Sequence, residues 1–223
     1  MTELSVGIPT ESGSETRVAV VPLALASLTG AGLRVVLARG AGTAAGYPDL
    51  RYQEKGAVIG SEDEAWGCDV VLRIRALGDG TGKLGASQTL IGLCGALFAP
   101  PALAEVSAQG TTVFALELIP RTTRAQSMDV LSSQATVAGY RAVLLAATTL
   151  PRLFPMLTTA AGTLAPARVL VVGAGVAGLQ AIATARRLGA VVDAYDVRPA
   201  VKEQVQSLGA RFVELPLEVA ATE

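Results

Sequence analysis

The sequence predicts an α/β protein made of two parallel-sheet domains, the second of them incomplete. Short β-branched or apolar runs alternate with longer Ala- and Leu-rich stretches up to about residue 120, and the same alternation restarts beyond residue 166. Continuous apolar strands are what burial on both faces of a parallel sheet demands, and strand–helix alternation is the signature of βαβ units. With 223 residues, 51% hydrophobic and 17% charged, the chain can bury a sizeable core and is no disordered segment. The expected class is therefore two Rossmann-like domains, the second cut short.

In chain order, LSVGI (4–8), RVVLA (34–38), VVLRI (70–74), TLIGL (89–93) and TVFALEL (112–118) read as strands, with VPLALASLTG (21–30) and PPALAEVSAQG (100–110) as helices between them. A long helix is predicted over 133–149, where Gly139 is the lone breaker, and the prolines at 151 and 155 mark a linker over 151–166. Beyond it RVLVV, LQAIATARRLGA, VVDAYD, VKEQVQSLGA and RFVEL give β-α-β-α-β. The expected organisation is an N-terminal domain over 1–120, a loop, long helix and linker over 121–166, and the first half of a nucleotide-binding domain over 167–223.

Several function classes drop out on composition. A net charge of -1, pI 5.6 and no basic run leave nothing to hold a phosphodiester backbone, so nucleic acid is not an expected partner. Cys68 and Cys94 form no CxxC and the chain has no histidine, which removes zinc spacings and a disulfide framework and predicts two free core thiols with no metal site. Mean hydropathy is +0.47, but the two longest uncharged runs, 84–104 and 169–185, are broken by glycines and prolines and read as strand, turn and helix rather than a membrane span. The first residues lack the basic and apolar regions of a signal peptide, so a cytoplasmic location is expected.

VLVVGAGVAG follows a predicted strand, opens a helix and is followed by a second strand ending at Asp196, the full context of a dinucleotide-binding turn. Gly173 permits the turn, Gly175 lets the backbone approach a pyrophosphate, and Gly178 lets the helix pack on the strand. Amides around Ala174 to Val176 then face phosphates at a helix N-terminus. Asp196, 18 residues after Gly178, suits the hydroxyls of an adenine ribose and would repel a 2′-phosphate, with Arg198 partly offsetting that. NAD is the cofactor this favours. A glycine-rich turn without a ligand and a flavin site share the motif.

Residues 120–134, PRTTRAQSMDVLSSQ, follow a strand at its carboxyl end, where open α/β sheets bind ligands. Arg121 and Arg124 could hold anions, and Asp129 could orient a carboxamide. Helix capping by Ser127 or Asp129 is the alternative, and spacing alone favours it.

From residue 5 to about 215 the chain resembles the NAD(H)-binding alpha-subunit component, domain I, of proton-translocating NAD(P) transhydrogenases, a family related to alanine dehydrogenases. The marks are SETRVAVVP (14–22), FALELIPRTTRAQSMDVLSSQATVAGYRAVL (114–144), FPMLTTAAGTLAPARVLVVGAGVAGLQAIATARRLGA (154–190) and DVRPAVKEQVQSLGARF (196–212). The resemblance implies that Arg121, Gln126, Asp129 and Ser132 meet the nicotinamide end of NAD(H), the first three in catalysis, with Arg124 beside them. Gly173, Ala174, Gly175, Val176, Gly178, Asp196, Val197 and Arg198 would hold the remainder. It also implies hydride transfer between NADH and NADP⁺, an NADP(H)-binding and a membrane-spanning partner component, a homodimer, and a place at the cytoplasmic side of the inner membrane.

Two departures stand out. Alanine dehydrogenases hold and protonate a keto acid with a lysine and a histidine; here Arg73 falls at the lysine and Gly95 near the histidine. Oxidising an amine needs proton removal, whereas moving a hydride between nicotinamides does not. Arg17, at the place of a carboxylate-binding arginine, reads on its own as a partner of Glu15. Family members also continue for well over a hundred further residues, so a truncated product, a fragment or one piece of a split subunit all fit, as does an inactive NAD-binding remnant. The strand RVLVV would then keep an unpaired apolar edge, which favours self-association.

Overall fold

The computed structural model describes residues 3–98 and 100–215. They fall into two compact units, divided after Asp129. In the first unit lie β1 (Ser5–Ile8), α1 (Pro22–Gly30), β2 (Arg34–Ala38), α2 (Asp49–Gln53), β3 (Val58–Gly60) and α3 (Glu62–Trp66). Then come β4 (Val70–Arg75), β5 (Thr89–Leu93), α4 (Pro100–Ala108) and β6 (Thr112–Ala115). The strands make one six-stranded sheet in the order β3-β2-β1-β4-β5-β6, with every pairing parallel. That is the doubly wound order whose ligand crevice lies where β1 and β4 diverge.

The core follows from the apolar runs. Val6, Ile8, Val35, Leu37, Val71 and Leu90 are buried along the central strands. Helix α3 is set by a capping box in which the Ser61 hydroxyl accepts from the Glu64 amide and the Glu64 carboxylate accepts from the Ser61 amide. Cys68 and Cys94 are both buried free thiols.

The second unit contains α5 (Val130–Thr149), a hairpin of β7 (Leu157–Thr159) and β8 (Gly162–Leu164), then β9 (Arg168–Val172), α6 (Val176–Arg187), β10 (Val191–Tyr195), α7 (Lys202–Ser207) and β11 (Arg211–Phe212). Its main sheet runs β11-β10-β9, all parallel, the 3-2-1 half of the order seen in the first unit. Ile182 and Ala185 of α6 pack with Val192 and Ala194 of β10 on one face. On the other face Leu170 and Val172 stand 61% and 73% exposed, and among the described residues β9 pairs with β10 alone. Helix α5 crosses α6 at Gly139, where a Cβ would lie 2.1 Å from the Ala177 carbonyl oxygen. No helix among the described residues is long and apolar enough to cross a membrane.

Several details refine the sequence reading. The strand expected over 112–118 ends at Ala115 and turns into a 3-10 turn over Leu116–Leu118, which aims the Glu117 carboxylate at the amides of Cys94 and Ala96. The long helix begins at Val130 rather than residue 133, and the stretch expected as a plain linker over 151–166 holds the β7–β8 hairpin. The division between units falls after Asp129, inside the stretch expected to join two domains. The short elements α2, β3 and α3 add to the expected strands and helices of the first unit. Residues 216–223 of the expected second domain lie outside the described residues.

Candidate functional site

The turn between β9 and α6 is built from its glycines. Gly173 adopts φ +93°, open to glycine at little cost, and at Gly178 a Cβ would lie 1.8 Å from the Gly173 carbonyl oxygen, so nothing larger lets the helix start this close to the strand. A Cβ built on Gly175 meets nothing within 4 Å, so that backbone borders open space. Gly175 is the N-cap and supplies no side-chain hydrogen bond, leaving the first amides of a twelve-residue helix directed at the space before it. A backbone cradle with a helix N-terminus behind it fits a pyrophosphate.

Ala174 departs from the expected arrangement. Its amide, expected to face phosphate, donates instead to Asp196 Oδ2 at 2.7 Å, because the buried Ala174 points its N–H back toward the end of β10. The Asp196 carboxylate, 6% exposed, also accepts the Arg198 amide (2.8 Å) and Arg198 Nε (3.0 Å) on Oδ1 and Arg198 Nη2 (3.1 Å) on Oδ2. The Arg198 guanidinium and amide, with the Ala174 amide, hold the carboxyl well below the usual carboxylate range. Asp196 is thus ionised at any working pH, as a carboxylate that receives ribose hydroxyls must be.

Beside it opens a cavity of about 200 Å³ lined by Tyr195, Asp196 and Val197, by Pro199 and Lys202, and by Phe212 at the end of β11 with Val213 to Leu215 after it. Lys202 and Glu214 form an ion pair among these lining residues. Apart from Asp196 and Val197, these residues lie outside the set that the sequence motif picks out. The proline after Asp-Val-Arg and the apolar end of RFVEL were the available signals.

In the first unit, Thr123–Met128 form a 3-10 helix anchored by the buried Ala125, whose amide donates to the Thr122 carbonyl at 3.0 Å. Arg121, Gln126 and Asp129 line one open cavity of about 290 Å³, with Pro120, Thr122, Thr123 and Ala125. Arg124 is exposed and outside that lining, while Ser132 sits on the first turn of α5, where its carbonyl accepts from the Thr136 hydroxyl. Asp129 immediately precedes α5, the position the capping alternative required.

Arg73 is a different kind of residue. Its side chain is 1% exposed, lies over the Trp66 ring at 5.2 Å, donates to the Asp79 carbonyl at 2.8 Å and pairs with Glu11 at 3.4 Å. Glu11 in turn accepts the Ile74 amide at 2.5 Å and the Arg75 amide at 3.2 Å. Arg17 forms a two-point pair with Glu15, at 2.8 and 2.7 Å, as its isolated reading implied. The Arg17 hydrogen bond, with smaller help from Arg75, lowers the Glu15 pKa to about 2 against the cost of burial.

A parallel sheet whose first strand runs through a Gly-x-Gly-x-x-Gly turn into a helix, with a carboxylate closing the second strand, defines a dinucleotide-binding α/β protein. Residues 7–138 match the alanine dehydrogenase/PNT N-terminal domain and residues 142–222 the alanine dehydrogenase/PNT C-terminal domain, and the chain belongs to this family of NAD(H)-binding proteins. It is 44% identical over 228 residues to an NAD(P) transhydrogenase alpha subunit of Rhodospirillum rubrum, an alignment covering 98% of this chain and 59% of that one. A solved transhydrogenase from Sinorhizobium meliloti superposes with a TM-score of 0.92 at 48% identity, covering 94% of this chain and 64% of the other. The alanine dehydrogenase of Mycolicibacterium smegmatis is 30% identical over 199 residues, which cover 86% of this chain and 53% of its own length. The chain thus spans about three fifths of the length of these two transhydrogenase relatives.

Proposed function

We propose that the chain is the NAD(H)-binding component of a proton-translocating transhydrogenase, holding NADH for hydride transfer to NADP⁺ on a separate component. The observation that carries this is the Gly173–Gly178 turn with an ionised Asp196 at the end of β10, in a chain of this family. The turn would hold the pyrophosphate, and Asp196, Val197 and Arg198 the adenosine end. Arg121, Gln126, Asp129 and Ser132 would meet the nicotinamide end, with Arg124 beside them. The bound nicotinamide supplies the hydride, and the loop residues orient the ring without moving a proton.

Alanine-dehydrogenase-like chemistry is the second reading, and Arg73 speaks against it. Its guanidinium is enclosed by Glu11, Trp66 and the Asp79 carbonyl, and the sequence offers no histidine as acid or base. The component reading further implies a homodimer at the cytoplasmic face of a membrane, docked on an NADP(H)-binding and a membrane-spanning component.

The test is NADH titration of the chain followed by hydride transfer with an NADP(H)-binding component added. Asp129→Asn and Arg121→Ala are expected to slow transfer by up to about 100-fold through lost orientation, with unchanged circular dichroism. NADH oxidation that requires pyruvate and ammonia instead would establish the second reading. Wild-type transfer rates in both variants would reduce the loop to a helix cap.

A further inference from the structure

We propose that the Arg198 side chain is a built-in competitor for the adenine ribose, occupying on Asp196 the two positions that the vicinal hydroxyls of an NAD(H) ligand must take. The inference rests on the NAD(H) reading of this site and adds a role to one of its residues. A carboxylate offers about four acceptor positions. Asp196 fills them with two backbone donors, the amides of Ala174 and Arg198, and two side-chain donors, Nε and Nη2 of Arg198.

The backbone donors are fixed by the turn and by the end of β10. The guanidinium donors are not, since the Arg198 side chain is 59% exposed while the carboxylate beneath it is 6% exposed. Nε bonds Oδ1 and Nη2 bonds Oδ2, so the guanidinium presents two donors side by side, one to each oxygen. A ribose 2′,3′-diol presents the same two-donor fork. Asp196 therefore cannot accept the diol in addition to Arg198; it must exchange one for the other. The two amide donors, of Ala174 and Arg198, stay on the carboxylate through that exchange.

Removing Arg198 has two opposing consequences, and only one of them depends on the diol. Loss of a positive charge from the site weakens every anionic adenine nucleotide alike, while loss of the competitor strengthens only those that carry both hydroxyls. The informative quantity is the ratio of affinities for 5′-AMP and 2′,3′-dideoxy-5′-AMP, measured by calorimetry on the 223-residue chain, with NADH titrated in parallel. In Arg198→Ala, and in Arg198→Gln as a second variant with a shorter neutral side chain, this ratio is expected to rise about two- to fivefold, the range of an exposed ion pair.

A ratio unchanged or lowered in both variants would overturn the inference and leave Arg198 without a competing role on Asp196, while NADH binding by wild type would leave the NAD(H) reading standing. Failure of wild type and both variants to bind NADH and 5′-AMP would remove that reading and this inference together.

Discussion

Glu11→Gln tests whether Arg73 belongs to the scaffold or to a substrate site. The substitution keeps an oxygen that can accept the Ile74 amide but removes the charge facing Arg73, whose side chain is 1% exposed against 3% for Glu11. Removing one member of a buried pair costs about 3–5 kcal/mol, because the other charge stays buried without its partner. For a chain of this size that lowers Tm by roughly 6–20 °C, seen in the transition of the first unit. Arg73 Nε already finds no hydrogen-bond partner among the described residues, so Arg73→Met removes an unsatisfied donor together with the charge. The double variant Glu11→Gln/Arg73→Met is therefore expected to recover most of the loss, within about 1.5 kcal/mol of wild type. Differential scanning calorimetry of the four proteins gives the cycle, and NADH titration of each gives the functional control. A Glu11→Gln variant within about 0.5 kcal/mol of wild type would refute the buried-pair argument, since that is the ordinary spread of surface substitutions. Loss of NADH binding in a folded Arg73→Met variant would place Arg73 in a ligand site.

Three further outcomes are expected. Wild type should bind NADH more tightly than NADPH, and Asp196→Ser should narrow that difference by roughly tenfold or more, since hydrogen bonds to a charged group are worth about 1.5–3 kcal/mol; equal wild-type affinities would end the NAD preference. Glu15 has a folded pKa lowered to about 2, so its pairing stabilises the fold above its ordinary value of 4.5 and loses that contribution as pH falls toward 2; Glu15→Gln should flatten the decline of Tm over that interval, and an unchanged profile would contradict the assignment. Leu170 and Val172, exposed on one face of β9, which among the described residues pairs with β10 alone, should drive self-association of the 223-residue chain, which Leu170→Lys with Val172→Glu should reverse in sedimentation experiments; an already monomeric wild type would contradict this.

What the sequence disclosed depended on how local each cause is. The strands of the first sheet other than the three-residue β3 were legible because burial in a parallel sheet writes itself as an unbroken apolar run, as in RVVLA and TLIGL, and RVLVV reads the same way although one face of β9 is exposed. Helices α2 and α3, five residues each, are too short for a period of 3.6 to register, although Ser61 and Glu64 carried the capping signature of the second. The early end of β6 was illegible because its reason is distant: Glu117 turns to meet amides of residues 94 and 96. The glycines of the turn were legible, since their requirements are set within six residues. The partners of Asp196 were not, because the Ala174 amide arrives from 22 residues away and the Arg198 fork depends on the path of the loop. The cavity wall from β11 needed the sheet order before it could be placed at all.

The two sheets share a 3-2-1 half but treat an anion oppositely, and the difference lies in the few residues after each first strand. After β9 three residues, Gly173 to Gly175, lead directly into α6, so its free amides stand at the strand's carboxyl end. After β1 the chain runs Pro9, Thr10, Glu11, and no α-helix begins until Pro22. The Glu11 carboxylate accepts the Ile74 and Arg75 amides at the end of β4, one of the two strands between which the crevice of this order opens. A phosphate brought to that crevice meets a buried carboxylate instead of a helix N-terminus. Charge and backbone direction thus leave the turn after β9 as the place in these two sheets where a pyrophosphate is favoured, even though the first sheet has the fuller doubly wound order.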